Sequence, residues 1–289
     1  MRLTALLLAL VVLASCTNSN STSTESSAKT TKNKTKKPKE VVPPVVKYGI
    51  EGYYTGVFSA KDYKESQEGL DKQITICIDS LNGYRVYGYS LVAGNKRPFK
   101  GSYEERDDLY VINAKEPGSD RFDGRFSFSV HPKKKVLEGT WEANDTSLNV
   151  TLSEFKLEQH PFKYSAHSEL PEDMVGAPLF GTYSEDSEEA EALTADIVKV
   201  NASLDVLKAK DVENMYKADL EVIRNAIYAR HGYAFKNARM RILFDNSVSW
   251  YMPLFTDVTP YLTETEKKNI ALIKRYEAHA AKYYDAFGR

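Results

Sequence analysis

The sequence predicts an α+β chain of two domains: an N-terminal antiparallel all-β meander closed into a small eight-stranded barrel, then a small all-α domain. Three observations carry this. From Tyr48 to about Leu157 the hydrophobic pattern has a period of two, cut by turn signals at roughly the eight-to-twelve-residue spacing of a sandwich or barrel. Glycines recur inside those strands (Gly56, Gly88, Gly101, Gly124, Gly139), as a small closed barrel needs to turn its corners, and this favours a barrel over a sandwich. From Asp196 onward the period becomes helical.

The chain is 289 residues long, a length suited to about two domains. Its 39 basic and 40 acidic residues balance, so no overall nucleic-acid footprint exists and no nucleic-acid partner is expected. The 19 tyrosines suit β-structure and polar interfaces.

The first residues read as an export signal rather than as fold. Met1-Arg2 is a basic start, and the apolar run Ala5 to Leu13 is too short for a stable membrane span. It ends Leu13-Ala14-Ser15-Cys16, which resembles the bacterial lipobox. That resemblance implies a signal peptide over 1–15, an acyl (palmitate-bearing) lipid on Cys16 and a membrane partner through that lipid. Thr17 stands where an aspartate retains some lipoproteins at the inner membrane, so the outer membrane is expected. Residues 16–47 form a Ser, Thr, Lys and Pro-rich tether. If Cys16 carries lipid, Cys77 has no intramolecular partner. It lies in Ile74-Thr-Ile-Cys-Ile78, where it reads as a small barrel-wall residue.

In the β domain, 48–158, strands are expected at about 52–58, 74–78, 84–92, 98–104, 107–113, 122–130, 135–142 and 148–157. Ile74, Ile76 and Ile78 take one face, with Thr75, Cys77 and Asp79 on the other. The barrel is expected to be filled by side chains, with a ligand cavity as the alternative. Two polar stretches, Gly94 to Phe99 and Glu116 to Gly124, read as solvated turns, with ion or partner binding as the alternative. The connector, 159–195, is irregular, with one short strand expected at Leu179 to Tyr183. His160 and His167 lack carboxylates at ligand offsets, and no metal or cofactor is expected.

In the helical domain, 196–289, Leu220 to Gly232 is the informative stretch. Leu220, Ile223 and Ile227 form an apolar stripe, and Arg224 and His231 share its side; Asn225, Ala226 and Ala229 lie towards the back. Gly232 is the αL cap. Asn237 caps a second helix from Ala238 to about Phe244, with Ile242 and Leu243 inward. Thr263-Glu-Thr-Glu266 is a capping box opening the last helix. Arg224, Asn225, Ile227-Tyr-Ala-Arg-His-Gly-Tyr233 (Tyr228, Arg230, His231, Gly232, Tyr233), Phe235, Phe244, Trp250-Tyr251, Pro253, Leu262-Thr263 and Glu266-Lys-Lys-Asn-Ile270 together resemble the YARHG domain. The resemblance covers about 215 to 275 and implies a small helical module found outside the membrane in bacterial lipoproteins, without assigned chemistry. One departure stands before its first helix, Lys217-Ala218-Asp219 where similar domains often carry a Ser cap.

An enzyme would use His231 as a general base and Arg224 or Arg230 to hold an anion. No nucleophile elbow, His-Glu-x-x-His or phosphate-cradling loop accompanies them, so catalytic residues are not assigned. The motif residues Arg224, Asn225, Tyr228, Arg230, His231, Gly232, Tyr233, Trp250 and Tyr251 are read as structural or ligand-binding, with Glu264 and Glu266 as candidate partners of Arg224. The expectation is a non-catalytic, lipid-anchored envelope protein binding a ligand or partner, such as a glycan, peptidoglycan or envelope protein. The alternatives are a structural or assembly lipoprotein of an envelope complex and, third, an envelope hydrolase.

Overall fold

The computed structural model describes residues 49–283 except Glu68. The expected signal peptide, Cys16 and the expected tether lie outside the described residues. Eight antiparallel strands follow one another around a closed barrel: β1 (Gly52–Tyr63), β2 (Lys72–Asn82), β3 (Arg85–Val92), β4 (Asn95–Arg106), β5 (Leu109–Lys115), β6 (Gly124–His131), β7 (Val136–Ala143) and β8 (Val150–Gln159). β8 pairs back onto β1, which removes both sheet edges. The inward row of β2, Ile74, Ile76 and Ile78, is fully buried with Tyr54, Val86, Ile112 and Leu157, each worth about 1.5–3 kcal/mol of burial.

The in-strand glycines are places of close backbone approach. A Cβ on Gly88 would stand 2.1 Å from the Cys77 carbonyl oxygen, and one on Gly139 2.2 Å from that of Ser127. One boundary differs from the sequence reading: Asn95 to Phe99 is not a loop but the start of β4. The hairpin turn is Ala93-Gly94, with φ of +49° and +70°. Left-handed values at both central residues match the twist of the flanking strands, so Ala93 accepts a conformation that costs about 1–2 kcal/mol.

The helical region holds α1 (Asp196–Lys199), α2 (Lys217–Arg230), α3 (Ala238–Ser247) and α4 (Glu264–Tyr283). The back of α2 is covered as well: Asn225, Ala226 and Ala229 are buried, because Leu170, Met174, Leu179 and Leu193 of the preceding segment pack into the same core. Two expectations are corrected here. That segment holds no strand at 179–183, only the isolated bridges Pro178↔Ala192 and Ser184↔Glu189. Ile242 is half-buried rather than inward.

The two regions dock. Thr75 and Cys77 point out of the barrel yet are buried, because the segment 252–255 covers them. Thr75 Oγ1 donates to the Pro253 carbonyl at 2.6 Å. Tyr53, Cys77 and Tyr89 form one apolar cluster with Leu254, flanked by Phe162, Met252 and Phe255. Burial pushes the Cys77 thiol well up, so it is a wall residue shielded from thiolate chemistry. Among the described residues no helix is long and apolar enough to cross a membrane.

Candidate functional site

The motif on α2 is built by a helix end. Gly232 has φ +76°, its N–H donates to the Ala229 carbonyl at 2.8 Å and the Tyr233 N–H donates to that of Tyr228 at 3.1 Å. This is the Schellman pair of bonds, which satisfies the last carbonyls and turns the chain sharply. His231, at the C-cap, is thereby aimed at the start of α4, while Arg224, two turns earlier, faces its far end.

α2 and α4 are joined at both points. His231 Nε2 lies 2.8 Å from Glu266 Oε2. Arg224 donates from Nε and Nη2 to the two carboxylate oxygens of Glu277, at 2.5 and 3.1 Å. The expected partners of Arg224 are therefore corrected: Glu266 belongs to His231, and Glu264 is exposed and pairs with Lys267. The antiparallel course of α4 explains the exchange, since its first turn meets the last turn of α2.

Glu266 is fully buried and meets three partners. The Thr263 N–H donates at 2.8 Å, completing the expected capping box with Glu266 N–H to Thr263 Oγ1; Tyr164 OH donates at 3.0 Å; His231 Nε2 completes the set at 2.8 Å. Burial alone would raise the carboxyl, but these bonds, led by His231, hold it below the usual carboxylate range. Tyr164 stacks on the His231 ring at 4.2 Å. Sequence reasoning missed Tyr164 because it lies in an aperiodic stretch. Arg230, buried, donates to the Ser168 carbonyl at 2.7 Å and to Ser203 Oγ at 3.3 Å, and burial lowers its pKa to about 10.

Of the remaining motif residues, Asn225 and Tyr251 are buried and Tyr228, Tyr233 and Trp250 are half-buried. Asn225 donates to the Glu221 carbonyl one turn back, and Tyr228 packs near Tyr233. Trp250 Nε1 donates to the Glu169 carbonyl at 2.7 Å, with Arg230 over its ring. Tyr251 OH donates to the Tyr233 carbonyl. Where a Ser cap is absent, Asp219 in the first turn accepts from the Thr194 N–H and hydroxyl instead, tying the connector to α2.

These side chains and the helical fold around them agree with one domain family. Residues 196–278 match the YARHG domain. The YARHG motif is thus the polar core of its own domain: Arg224 is paired with Glu277, His231 with Glu266, and Arg230 with the Ser168 carbonyl and Ser203. The search of curated proteins found no match to the chain. Among the described residues no group of three or more His, Cys, Asp and Glu is placed to hold a metal ion.

An open site lies instead at one end of the barrel. A cavity of about 330 Å³ opens between the β1–β2, β3–β4, β5–β6 and β7–β8 loops, walled by Phe58, Val92, Phe122, Phe126, Trp141 and Arg97. Here the two polar stretches read as solvated turns come together. Arg97 Nε is 3.4 Å from Asp123 Oδ1, and Nη2 is 3.6 Å from Asp120 Oδ1. Asp123 in turn accepts from the N–H groups of Gly118 and Asp120. Glu116 is buried beneath them, accepting from Ser90 Oγ at 2.8 Å, Gly124 N–H at 2.7 Å and Trp141 Nε1 at 3.2 Å. Burial pushes its carboxyl above the usual range against those bonds. Arg97 Nε is buried with no hydrogen-bond partner among the described residues, and an unmet buried donor calls for an explanation. Both stretches were visible in the sequence; their meeting was not, because it follows from the β4–β5 register, which sets Lys100 opposite Lys115 and so brings the start of β4 beside the loop that follows β5.

The YARHG domain braces the rim of this cavity. A Cβ on Gly94 would stand 2.4 Å from Lys236 Cγ, and one on Gly69 2.8 Å from Ile242 Cδ1, so both rim loops rest directly on the segment that carries α3.

Proposed function

We propose that the chain is a non-catalytic, lipid-anchored protein of the bacterial envelope, held at the outer membrane through Cys16, that binds a small ligand at the open end of its barrel. The observation that carries this reading is the cavity, with its aromatic walls and the Arg97 guanidinium, whose Nε lies 3.4 Å from Asp123 Oδ1 without making a hydrogen bond. Eight strands leave room for one small ligand, and about 330 Å³ is at the lower end of ligand pockets. The ligand is a molecule with an apolar body and one anionic or accepting group, which Arg97 would bond. The non-catalytic part of the reading draws on the pairing of buried His231 with Glu266 and of half-buried Arg224 with Glu277, which engages the two groups a hydrolase would use.

The test is displacement of anilinonaphthalene sulfonate from the full-length chain by medium-chain carboxylates, with Trp141 emission as the second signal. Binding that Arg97→Ala removes, in a chain that still melts cooperatively, is the expected result. Equal binding by the variant, or no binding at all, sinks it. The assembly-lipoprotein reading takes its support from the closed, self-satisfied YARHG domain, and would be favoured by crosslinking to an envelope protein with an empty barrel.

A further inference from the structure

The strand register builds a second feature on the outer barrel wall, away from the cavity. Lys100 of β4 is opposite Lys115 of β5, which is opposite Arg125 of β6. The three side chains are exposed, and none of them makes an ion pair within 4 Å among the described residues. Directly opposed like charges weaken a sheet, and here three cations are stacked at the strand spacing of about 4.8 Å. The row continues on one side to Tyr87 of β3 and ends on the other at Glu142 of β7. The next outward row runs Arg85, Ser102, Asn113, Ser127, with Ser127 Oγ donating to Asn113 Oδ1 at 3.0 Å. Tyr84, at 68% exposure, closes the corner. All of these except Glu142 line one shallow groove of about 430 Å³, whose lining holds no carboxylate; Glu142 stands beside it, opposite Arg125.

We propose that this cationic ladder binds an anionic polysaccharide. The polymer's carboxylates or phosphates would sit between successive cations and remove the repulsion that the empty ladder carries. One anionic group per pyranose ring matches the pitch of neighbouring strands. Tyr84 and Tyr87 offer faces for sugar rings, and Ser102, Asn113 and Ser127 offer hydroxyl partners. The choice of a polysaccharide over another polyanion rests on the envelope location proposed above; the ladder itself does not depend on the cavity.

The experiment measures binding of the full-length chain, in detergent, to oligogalacturonate, with neutral dextran, a DNA duplex and phosphatidylglycerol vesicles as comparisons. Oligogalacturonate binding that weakens with salt, and no dextran binding, is expected. Lys115→Glu places an acid between two cations. It is expected to weaken binding roughly tenfold or more while leaving the melting temperature unchanged or raised. Arg97→Ala, which empties the cavity assay, leaves polymer binding intact, so the two readings fail separately. Unchanged binding by Lys115→Glu, or a lowered melting temperature with it, overturns the ladder as a site. Tighter binding of duplex or vesicles than of oligogalacturonate overturns the polysaccharide.

Discussion

His231 Nε2 and Glu266 Oε2 stand 2.8 Å apart with side-chain exposures of 5% and 0%, so the motif's histidine is half of a buried pair that locks α2 to α4. Glu266→Ala strands the Tyr164 hydroxyl, the Thr263 N–H and the imidazole at once. Breaking a buried pair in this way costs about 3–5 kcal/mol. Arg224→Ala, which breaks the half-buried pair with Glu277, is expected to cost less. Thermal or denaturant melts of the two variants check the order; equal losses would contradict it.

Acid should act through the same carboxylate. The folded protein holds Glu266 below its usual range, so its contribution is complete above about pH 4.3, the unfolded value, and is lost as pH falls through the lower folded value. Glu266→Gln should flatten the acid limb of the stability curve. An unchanged limb would assign acid sensitivity elsewhere.

Asp245 should behave in the opposite sense. It accepts from the Gln73 N–H across the junction of barrel and helical region at 3.1 Å, and burial lifts its pKa to about 6 against that bond and the nearby Arg241 and Lys72. The folded state therefore binds this proton more tightly than the unfolded chain. Its contribution is present below about pH 3.9, the unfolded value, and is lost as pH rises through about 6. Asp245→Asn should remove this slope between those values and be at least as stable as the parent at neutral pH. Melting the two proteins across that range reads the difference directly.

Docking makes a further prediction. Leu254 is 2% exposed, between Tyr53, Cys77 and Tyr89 on the barrel wall. Leu254→Asp buries a charge there and should split one cooperative unfolding transition into two. Calorimetry of the full chain decides it; a single transition merely shifted down would mean that other contacts hold the two regions together.

Gly232→Ala should destabilise by roughly 1–2 kcal/mol, the cost of a left-handed conformation for a residue with a Cβ. That Cβ would also lie 3.2 Å from both the Met252 carbonyl and the Phe162 ring. Gly83, with φ +60° and nothing within 4 Å, isolates the conformational part, so Gly83→Ala should cost less than Gly232→Ala in the same melt.

The sequence alone determined whatever is written in local pattern. Alternation placed Ile74, Ile76 and Ile78 on one face, recurrent glycines pointed to closure, and Thr263 to Glu266 announced a capping box, because each depends on neighbours a few residues apart. The shared side of Arg224 and His231 was legible for the same reason. Only the tertiary structure decided their partners, Glu277 and Glu266, since helix direction settles which ends of α2 and α4 meet. It also decided that Thr75 and Cys77, outward on the barrel, are buried under Pro253 and Leu254. Arg97 reaches Asp120 and Asp123, and Lys100, Lys115 and Arg125 stand in one row, through the register of β4, β5 and β6. Register is a property of pairs of strands, and no single stretch of chain contains it.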